Sequence, residues 1–134
     1  MTLLNLKKFY KNKKVLVTGA TGFKGAWLCS WLLILGAKVI GTGFNPNKNR
    51  NLFYKLNLHK KIKLKVFDIK DFKKIEALVK KNKPEIIFHL AAQPLIYDSY
   101  VKPHLTFDVN IRGTLNILEI TKKFNFIKSS IFVT

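Results

Sequence analysis

Val15-Leu16-Val17-Thr18-Gly19-Ala20-Thr21-Gly22-Phe23-Lys24-Gly25-Ala26-Trp27-Leu28 is the stretch on which the fold turns. Val15 to Thr18 is a short apolar run ending in a glycine turn, the pattern of a strand buried in a parallel sheet. Phe23 to Leu35 is apolar nearly all round and closes at Gly36, which predicts a core helix with a glycine stop. Between strand and helix, Gly19, Gly22 and Gly25 recur at three-residue spacing. Gly19 is free to adopt a turn conformation that a side chain resists. Gly22 lets the backbone approach a pyrophosphate, and Gly25 lets the helix pack close to the sheet. The free amides of the helix start, aided by the helix dipole, then face an anion. A glycine pattern alone is weak and fits an ordinary turn, but a strand-turn-helix context at the start of a domain strengthens it. Thr18, Gly19, Thr21, Gly22, Phe23, Lys24 and Gly25 are therefore the candidate dinucleotide-binding residues of this turn.

Working outward, residues 1–14 read as a short leader whose apolar positions, Leu3, Leu4, Leu6, Phe9 and Tyr10, make no clear core pattern. Lys38 to Thr42 is a second strand, and Asn45 to Asn51, with Pro46 and several asparagines, is a loop. Leu64 to Phe67 is a third strand. Asp71 caps a helix that carries Phe72, Ile75 and Val79 on one face and lysines on the other. Pro84 breaks that helix, and Glu85 to Leu90 forms a fourth strand. Leu105 to Phe124 reads as one long helix, and Ser130 to Thr134 as a fifth strand. Strands alternating with helices, without repeats, predict an α/β fold: a doubly wound, Rossmann-type parallel sheet with right-handed crossovers and strand order 3-2-1-4-5. A single domain is expected over residues 15–134. A fifth strand left as an apolar open edge promotes association, so the chain by itself is expected to be poorly soluble or marginally folded.

The bulk numbers bound the function. The chain has 134 residues, 48% of them hydrophobic, which is enough for a real core and argues against disorder. The single cysteine, Cys29, leaves no internal disulfide and no cysteine-rich metal site, so no metal is expected and a reducing cytoplasm fits. The net charge of +18 invites a nucleic-acid reading, but only Arg50 and Arg112 are arginines and the lysines are spread along the chain. Solvated lysines, or a field that attracts an anionic substrate, explain the charge without a specific nucleic-acid partner. The most apolar stretch, Ala26 to Ala37, is too short to span a bilayer, and no membrane partner is expected. Trp27 and Trp31, one helical turn apart, read as core packing rather than substrate stacking. His59 carries no signal, and His104 beside Pro103 reads as loop.

Several segments together resemble the extended short-chain dehydrogenase/reductase superfamily, and within it the CDP-glucose 4,6-dehydratases. Gly19 to Gly25 followed by Ala26-Trp27-Leu28 is similar to their opening, with Lys24 and Trp27 the more particular features. Asp68-Ile69 resembles the acid that contacts adenine and its neighbour. Pro84-Glu85-Ile86-Ile87-Phe88-His89-Leu90-Ala91-Ala92-Gln93-Pro94-Leu95 resembles their fourth-strand segment, and Ser99-Tyr100, Pro103, Thr106, Asn110 and Gly113-Thr114 continue the match. The resemblance runs from Val15 to Thr134. It implies NAD as cofactor, with Asp68, Ile69, Leu90, Ala91, Ala92 and Gln93 added to the candidate cofactor contacts. Small Ala91 and Ala92 let a flat cofactor lie on the carboxyl edge of the sheet. Gln93 either contacts a sugar or ribose or stabilises its loop. His89 inside an apolar strand reads as a structural, hydrogen-bonded histidine. Asn110 resembles a helix asparagine that supports the active-site backbone; the alternative is an ordinary exposed asparagine. Asp68 is either that adenine contact or a helix cap, and Asp71 is the better cap.

The second strand departs from the classical pattern. An acid near its end holds the ribose hydroxyls, and here Gly43 stands there, which leaves NAD and NADP both open. Lys48 or Arg50 would approach a 2′-phosphate if either did; plain loop cations are the blander reading. The resemblance further implies a nucleotide-sugar substrate, a homodimer in the full-length enzyme, a hydride shuttle with loss of water, and a Tyr-x-x-x-Lys pair as base. Tyr10 and Lys14 have that spacing but precede the first strand, and read as coincidence. The expectation is a portion that ends before the main catalytic residues and is inactive alone, with Asn110 in a supporting role only. A related epimerase or dehydratase, or a non-catalytic dinucleotide-binding module, are the rival readings.

Overall fold

The computed structural model describes residues 2–44, 46 and 51–133. Five parallel strands form one sheet: β1 (Lys14–Thr18), β2 (Lys38–Gly43), β3 (Lys63–Val66), β4 (Ile86–His89) and β5 (Ser129–Phe132). Their order is β3-β2-β1-β4-β5, as the alternation of elements predicts. β1 is central, its Val15, Leu16, Val17 and Thr18 all buried. Register places Leu16 beside Ile40 on one side and Ile87 on the other.

Alternation along β1 divides the core. Val15 and Val17 face a cluster with Ala26, Cys29, Leu32, Phe53 and Leu58. Leu16 faces the other side, with Ile40, Ile75, Val79, Ile87, Ile117 and Ile120. The first layer is built from α1 (Leu3–Tyr10), α2 (Phe23–Ile34), α3 (Leu52–Lys55) and a 3-10 turn (Leu58–Lys60). The second holds α4 (Phe72–Asn82) and α7 (Gly113–Lys123). Between β4 and α7 run α5 (Ile96–Val101), α6 (Pro103–Phe107) and a π-helical stretch, Asp108–Arg112. Cys29 lies in the first core, and burial pushes its thiol up to about 12.

Several expectations change. Residues 2–14, read as a leader without a clear core pattern, hold α1: the Thr2 hydroxyl caps it by accepting from the Asn5 amide at 3.3 Å, and Tyr10 packs on the first core. The expected helix from Leu105 to Phe124 starts earlier, at Pro103, and its interior opens into the π stretch; α5 precedes it and was not predicted. His104 therefore stands in α6 rather than in a loop. Proline fits the first helical turn because its missing N–H would have no partner there. Trp27 and Trp31 are not core residues; they are 48% and 53% exposed on the outer side of α2. The expected loop cations Lys48 and Arg50, and Thr134 of the fifth strand, lie outside the described residues.

Asp71 does cap α4, its Oδ1 accepting from the Lys74 amide at 3.1 Å, and Ile75, Leu78 and Val79 form the buried face. The helix ends at Lys83, in the left-handed region with φ 49°, just before Pro84. Among the described residues no helix is long and apolar enough to cross a membrane.

Candidate functional site

β1 and β4 end side by side, and the glycine turn, His89 and the loop that carries Leu90 to Gln93 meet at their carboxyl ends. Gly19 turns the chain out of β1 with φ +69°, a conformation L side chains rarely adopt. It is also wedged in place: a Cβ at Gly19 would stand 2.8 Å from the Ala91 nitrogen and 2.9 Å from the Leu90 carbonyl carbon. Gly25 meets the turn from the helix side, where a Cβ would come within 2.8 Å of the Ala20 Cα. The close approach is thus of helix to turn, a tighter constraint than helix against sheet. Ala20 donates to the Thr42 carbonyl at 2.8 Å, and the Asn51 amide side chain donates to the Thr21 carbonyl at 2.7 Å.

Gly22 is the N-cap of α2 and brings no side-chain cap; its own amide bonds to the Gly19 carbonyl at 2.9 Å. The first bond of the helix runs from the Ala26 amide to the Gly22 carbonyl. Among the described residues, the amides of Phe23, Lys24 and Gly25 have no backbone or side-chain acceptor. These three N–H groups at the positive end of a 12-residue helix form a cradle suited to a phosphate. The glycines keep its floor free of side chains, so the residues present fit a dinucleotide diphosphate.

Thr18 joins the two strand ends. Its Oγ1 accepts from the Leu90 and Ala91 amides, both at 3.2 Å, and lies 2.7 Å from His89 Nδ1. With two donors already pointing at it, the hydroxyl spends its own hydrogen on Nδ1, so the proton of the ring sits on Nε2. Nε2 then donates to the Thr114 hydroxyl of α7 at 3.3 Å. Burial holds His89 neutral, its pKa lowered to about 4. The structural reading of His89 is the one its contacts express.

Asn110 braces the loop after β4 at both polar atoms: Oδ1 accepts from the Gln93 amide at 2.8 Å, and Nδ2 donates to the Gln93 carbonyl at 3.3 Å. Gln93 itself turns inward on the loop. Its Nε2 donates to the Leu95 carbonyl and the Thr106 hydroxyl, and its Oε1 accepts from the Leu95 amide at 2.6 Å. Its side chain is engaged by the loop rather than presented to a ligand.

Asp68 and Ile69 follow β3. Asp68 Oδ1 accepts from the Lys70 amide at 2.9 Å, while Asp71 does the capping. Lys70 reaches the π stretch, its Nζ 2.7 Å from Asp108 Oδ2 and 3.6 Å from Asp68 Oδ2. The hydrogen bond to Asp108 raises the Lys70 pKa and lowers that of Asp108. Ile69 is held twice more, its carbonyl by Asn116 Nδ2 at 2.9 Å and its side chain against Gly113. Sequence reading missed Lys70 and Asn116, and it named Thr114 in the family match without a role. The signal for Asn116 was its place beside Ile117 on the buried face of a helix, where an amide needs a partner.

Gly43 closes β2 beside the glycine turn. A Cβ there would overlap the Thr21 side chain, whose Cγ2 would lie 2.6 Å away. The missing acid of the second strand therefore has a local cause: Thr21 fills the space an acidic side chain would need to leave from. Tyr10 and Lys14 lie at the opposite, amino edge, and among the described residues no three His, Cys, Asp or Glu side chains cluster to hold a metal.

Comparison with known proteins agrees with this geometry. Residues 16–134 match the GDP-mannose 4,6 dehydratase family. A CDP-glucose 4,6-dehydratase of Salmonella typhimurium is 41% identical over 128 residues, covering 96% of this chain and 36% of the relative. Among solved structures, an epimerase from Methanothermobacter thermautotrophicus superposes with a TM-score of 0.82 at 27% identity, over 97% of this chain and 37% of its own. A Thermus thermophilus UDP-glucose 4-epimerase in complex with NAD gives 0.70 at 31% identity, over 82% and 34%. The chain spans about a third of the length of the curated relatives it matches. With its glycine cradle at the carboxyl edge of a 3-2-1-4-5 sheet and its match from the first strand onward, the chain belongs to the GDP-mannose 4,6-dehydratase family, among the nucleotide-sugar dehydratases and epimerases of the extended short-chain dehydrogenase/reductase superfamily.

Proposed function

We propose that this chain forms the NAD-binding part of a lyase of the CDP-glucose 4,6-dehydratase type, which converts CDP-glucose to CDP-4-dehydro-6-deoxyglucose. The observation that carries the reading is the turn from Gly19 to Gly25, with three amides at the start of α2 that have no acceptor among the described residues. CDP-glucose is favoured by the 41% identity to the Salmonella enzyme of that name. NAD is favoured by the Thermus epimerase complex; NADP is the alternative that Gly43 leaves in play.

NAD, when bound, supplies the acceptor and donor of the hydride. The residues of this chain bind and orient. The amides of Phe23, Lys24 and Gly25 hold the diphosphate, with Thr21 and Gly22 shaping the turn. The Asp68 carboxylate accepts from the adenine amino group beside Ile69. Leu90, Ala91 and Ala92 offer a flat edge held by the Thr18 hydroxyl, and Asn110 fixes the backbone of Gln93. No Tyr-x-x-x-Lys pair stands at the carboxyl edge among the described residues, so the 134-residue chain binds cofactor without turning over sugar. The exposed apolar side chains Ile111, Leu115 and Leu118 suit the helix pairing of a homodimer. A cytoplasmic setting suits a nucleotide-sugar substrate.

The test is calorimetric titration with NAD and NADP of the chain and of Gly22→Asp. Gly22 has an ordinary φ of −72° and sits where aspartate is a good cap, though its Cβ would stand 3.2 Å from the Gly19 carbonyl oxygen, so a urea melt of the variant accompanies the titration. Its carboxylate takes the amides meant for phosphate, and NAD binding disappears. A Gly22→Asp chain that binds NAD as the parent does, or a parent that binds neither dinucleotide at millimolar concentration, refutes the reading.

A further inference from the structure

The acidic residues of this chain are placed unevenly. The first 67 residues hold fourteen lysines and arginines and no aspartate or glutamate; all seven acids begin at Asp68. The fold turns this into a surface property. The layer of α1, α2, α3 and the 3-10 turn is built wholly from residues 3–60, and so carries no acidic side chain. Glu85 is brought toward it at the amino edge, where Lys13 pairs with it at 2.7 Å.

The same layer exposes apolar side chains in a line. Phe23, Trp27, Trp31 and Ile34 succeed one another along the outer side of α2, all at least 48% exposed. Their spacing of three and four residues puts them on one helix face. α1 also exposes Leu3, Leu4 and Phe9, with none of its residues buried. Its end is tied to the end of α2 by the Asn12 amide donating to the Gly36 carbonyl at 2.8 Å. Where α2 ends, Leu33 and Ala37 line a cleft across the amino edge of the sheet, edged by Lys14, Lys38, Lys60, Lys61 and Lys63 and, from α4, by Lys81.

We propose that this layer is a docking surface for an anionic phospholipid membrane, with the Phe23–Trp27–Trp31–Ile34 stripe and α1 entering the headgroup region and the lysine cleft meeting lipid phosphates. Indole and phenyl rings favour the membrane interface, and a cationic surface free of acids gains from the negative potential of anionic lipid. A second copy of this chain is a poor occupant, since a symmetric contact brings two acid-free cationic faces together. Nucleic acid accounts for the lysines and the rings but has no use for Leu3, Leu4 and Ile34. The expectation of no membrane partner came from the absence of a spanning stretch, which has no bearing on a surface contact.

Trp27 and Trp31 are the two tryptophans of the chain, so intrinsic fluorescence reports the stripe directly. With vesicles of equal phosphatidylglycerol and phosphatidylcholine at low salt, emission shifts to shorter wavelength, acrylamide quenching falls, and the chain floats with the lipid. Phosphatidylcholine vesicles alone give little of this, and about 0.5 M salt removes most of it by screening. Trp31→Glu lowers partitioning at least about tenfold, whereas Lys73→Glu on α4, in the other layer, changes it less than about twofold, because binding follows the apolar area inserted. The proposal is overturned by equal binding to both vesicle types, by absence of flotation, by Lys73→Glu losing as much as Trp31→Glu, or by duplex DNA producing the same emission shift at lower concentration. Should Trp31→Glu fail to fold, the flotation and quenching of the parent chain with the two vesicle types decide the matter.

Discussion

At Thr18 one hydroxyl holds two backbone amides of the β4 end and the Nδ1 of His89. Thr18→Val keeps the shape and removes the oxygen, stranding the buried His89 Nδ1 and the half-buried Ala91 amide, while the Leu90 amide keeps the Thr18 carbonyl. A loss of about 2–3 kcal/mol is expected in urea unfolding, above the usual worth of one hydrogen bond because desolvated groups are stranded. His89 gives the chain an acid-side dependence. Its folded pKa of about 4 lies below the ordinary 6.5, so between those values the unfolded state binds the extra proton. Stability from this group is fully present above pH 6.5 and falls away as pH drops toward 4, by roughly 3 kcal/mol in all. Unfolding free energies measured from pH 7 to 4 check this; His89→Gln flattens that part of the profile. At this scale the sequence was legible where backbone geometry sets the residue. Gly19 had to be glycine, and its positive φ confirms the reason. The partners of Thr18 and His89 were illegible, because residues 71 apart meet only once the strands pair.

Between elements, the hold on the loop after β3 comes from α7 and the π stretch. Asn116 reaches from the buried face of α7 to the Ile69 carbonyl. Asn116→Ala leaves that carbonyl without its donor and is expected to cost about 1–3 kcal/mol; on the proposed role of Asp68 and Ile69 as adenine contacts, NAD affinity falls with it. Denaturant melts and calorimetry on the same variant separate the two effects, and a variant as stable as the parent counts against the contact. The strands and α2 were readable from apolar runs bounded by glycine and proline. The helices α1, α3 and α5 were not, since each is short and lacks a buried stripe long enough to show a period. Asp108 to Arg112 read as plain α-helix because a π stretch leaves no compositional mark. Trp27 and Trp31 misled for a related reason: hydrophobicity all round α2 does not say which side the sheet takes.

The whole molecule leaves much apolar surface open. Ile111, Leu115 and Leu118 stand exposed on one run of helix, and among the described residues β5 pairs with β4 alone. Both features favour association. The chain is expected to sediment as dimers or larger species, and Leu115→Lys with Leu118→Lys to shift it toward monomer without loss of helical signal. A parent chain that is monomeric at high concentration removes the expected association of this chain through these surfaces.

From its order of residues alone, this protein carries an α/β doubly wound sheet in 3-2-1-4-5 order and a glycine cradle at the carboxyl edge. Those features rest on local causes, the period of apolar side chains and the few conformations a turn permits, so neighbouring residues suffice to specify them. Packing alone decided that Thr18, His89 and Thr114 form one chain of hydrogen bonds, that Thr21 fills the space beside Gly43, and that one layer is free of acids and lined with tryptophan. Each of these joins residues distant in sequence, and their meeting follows from strand order and the side each helix takes.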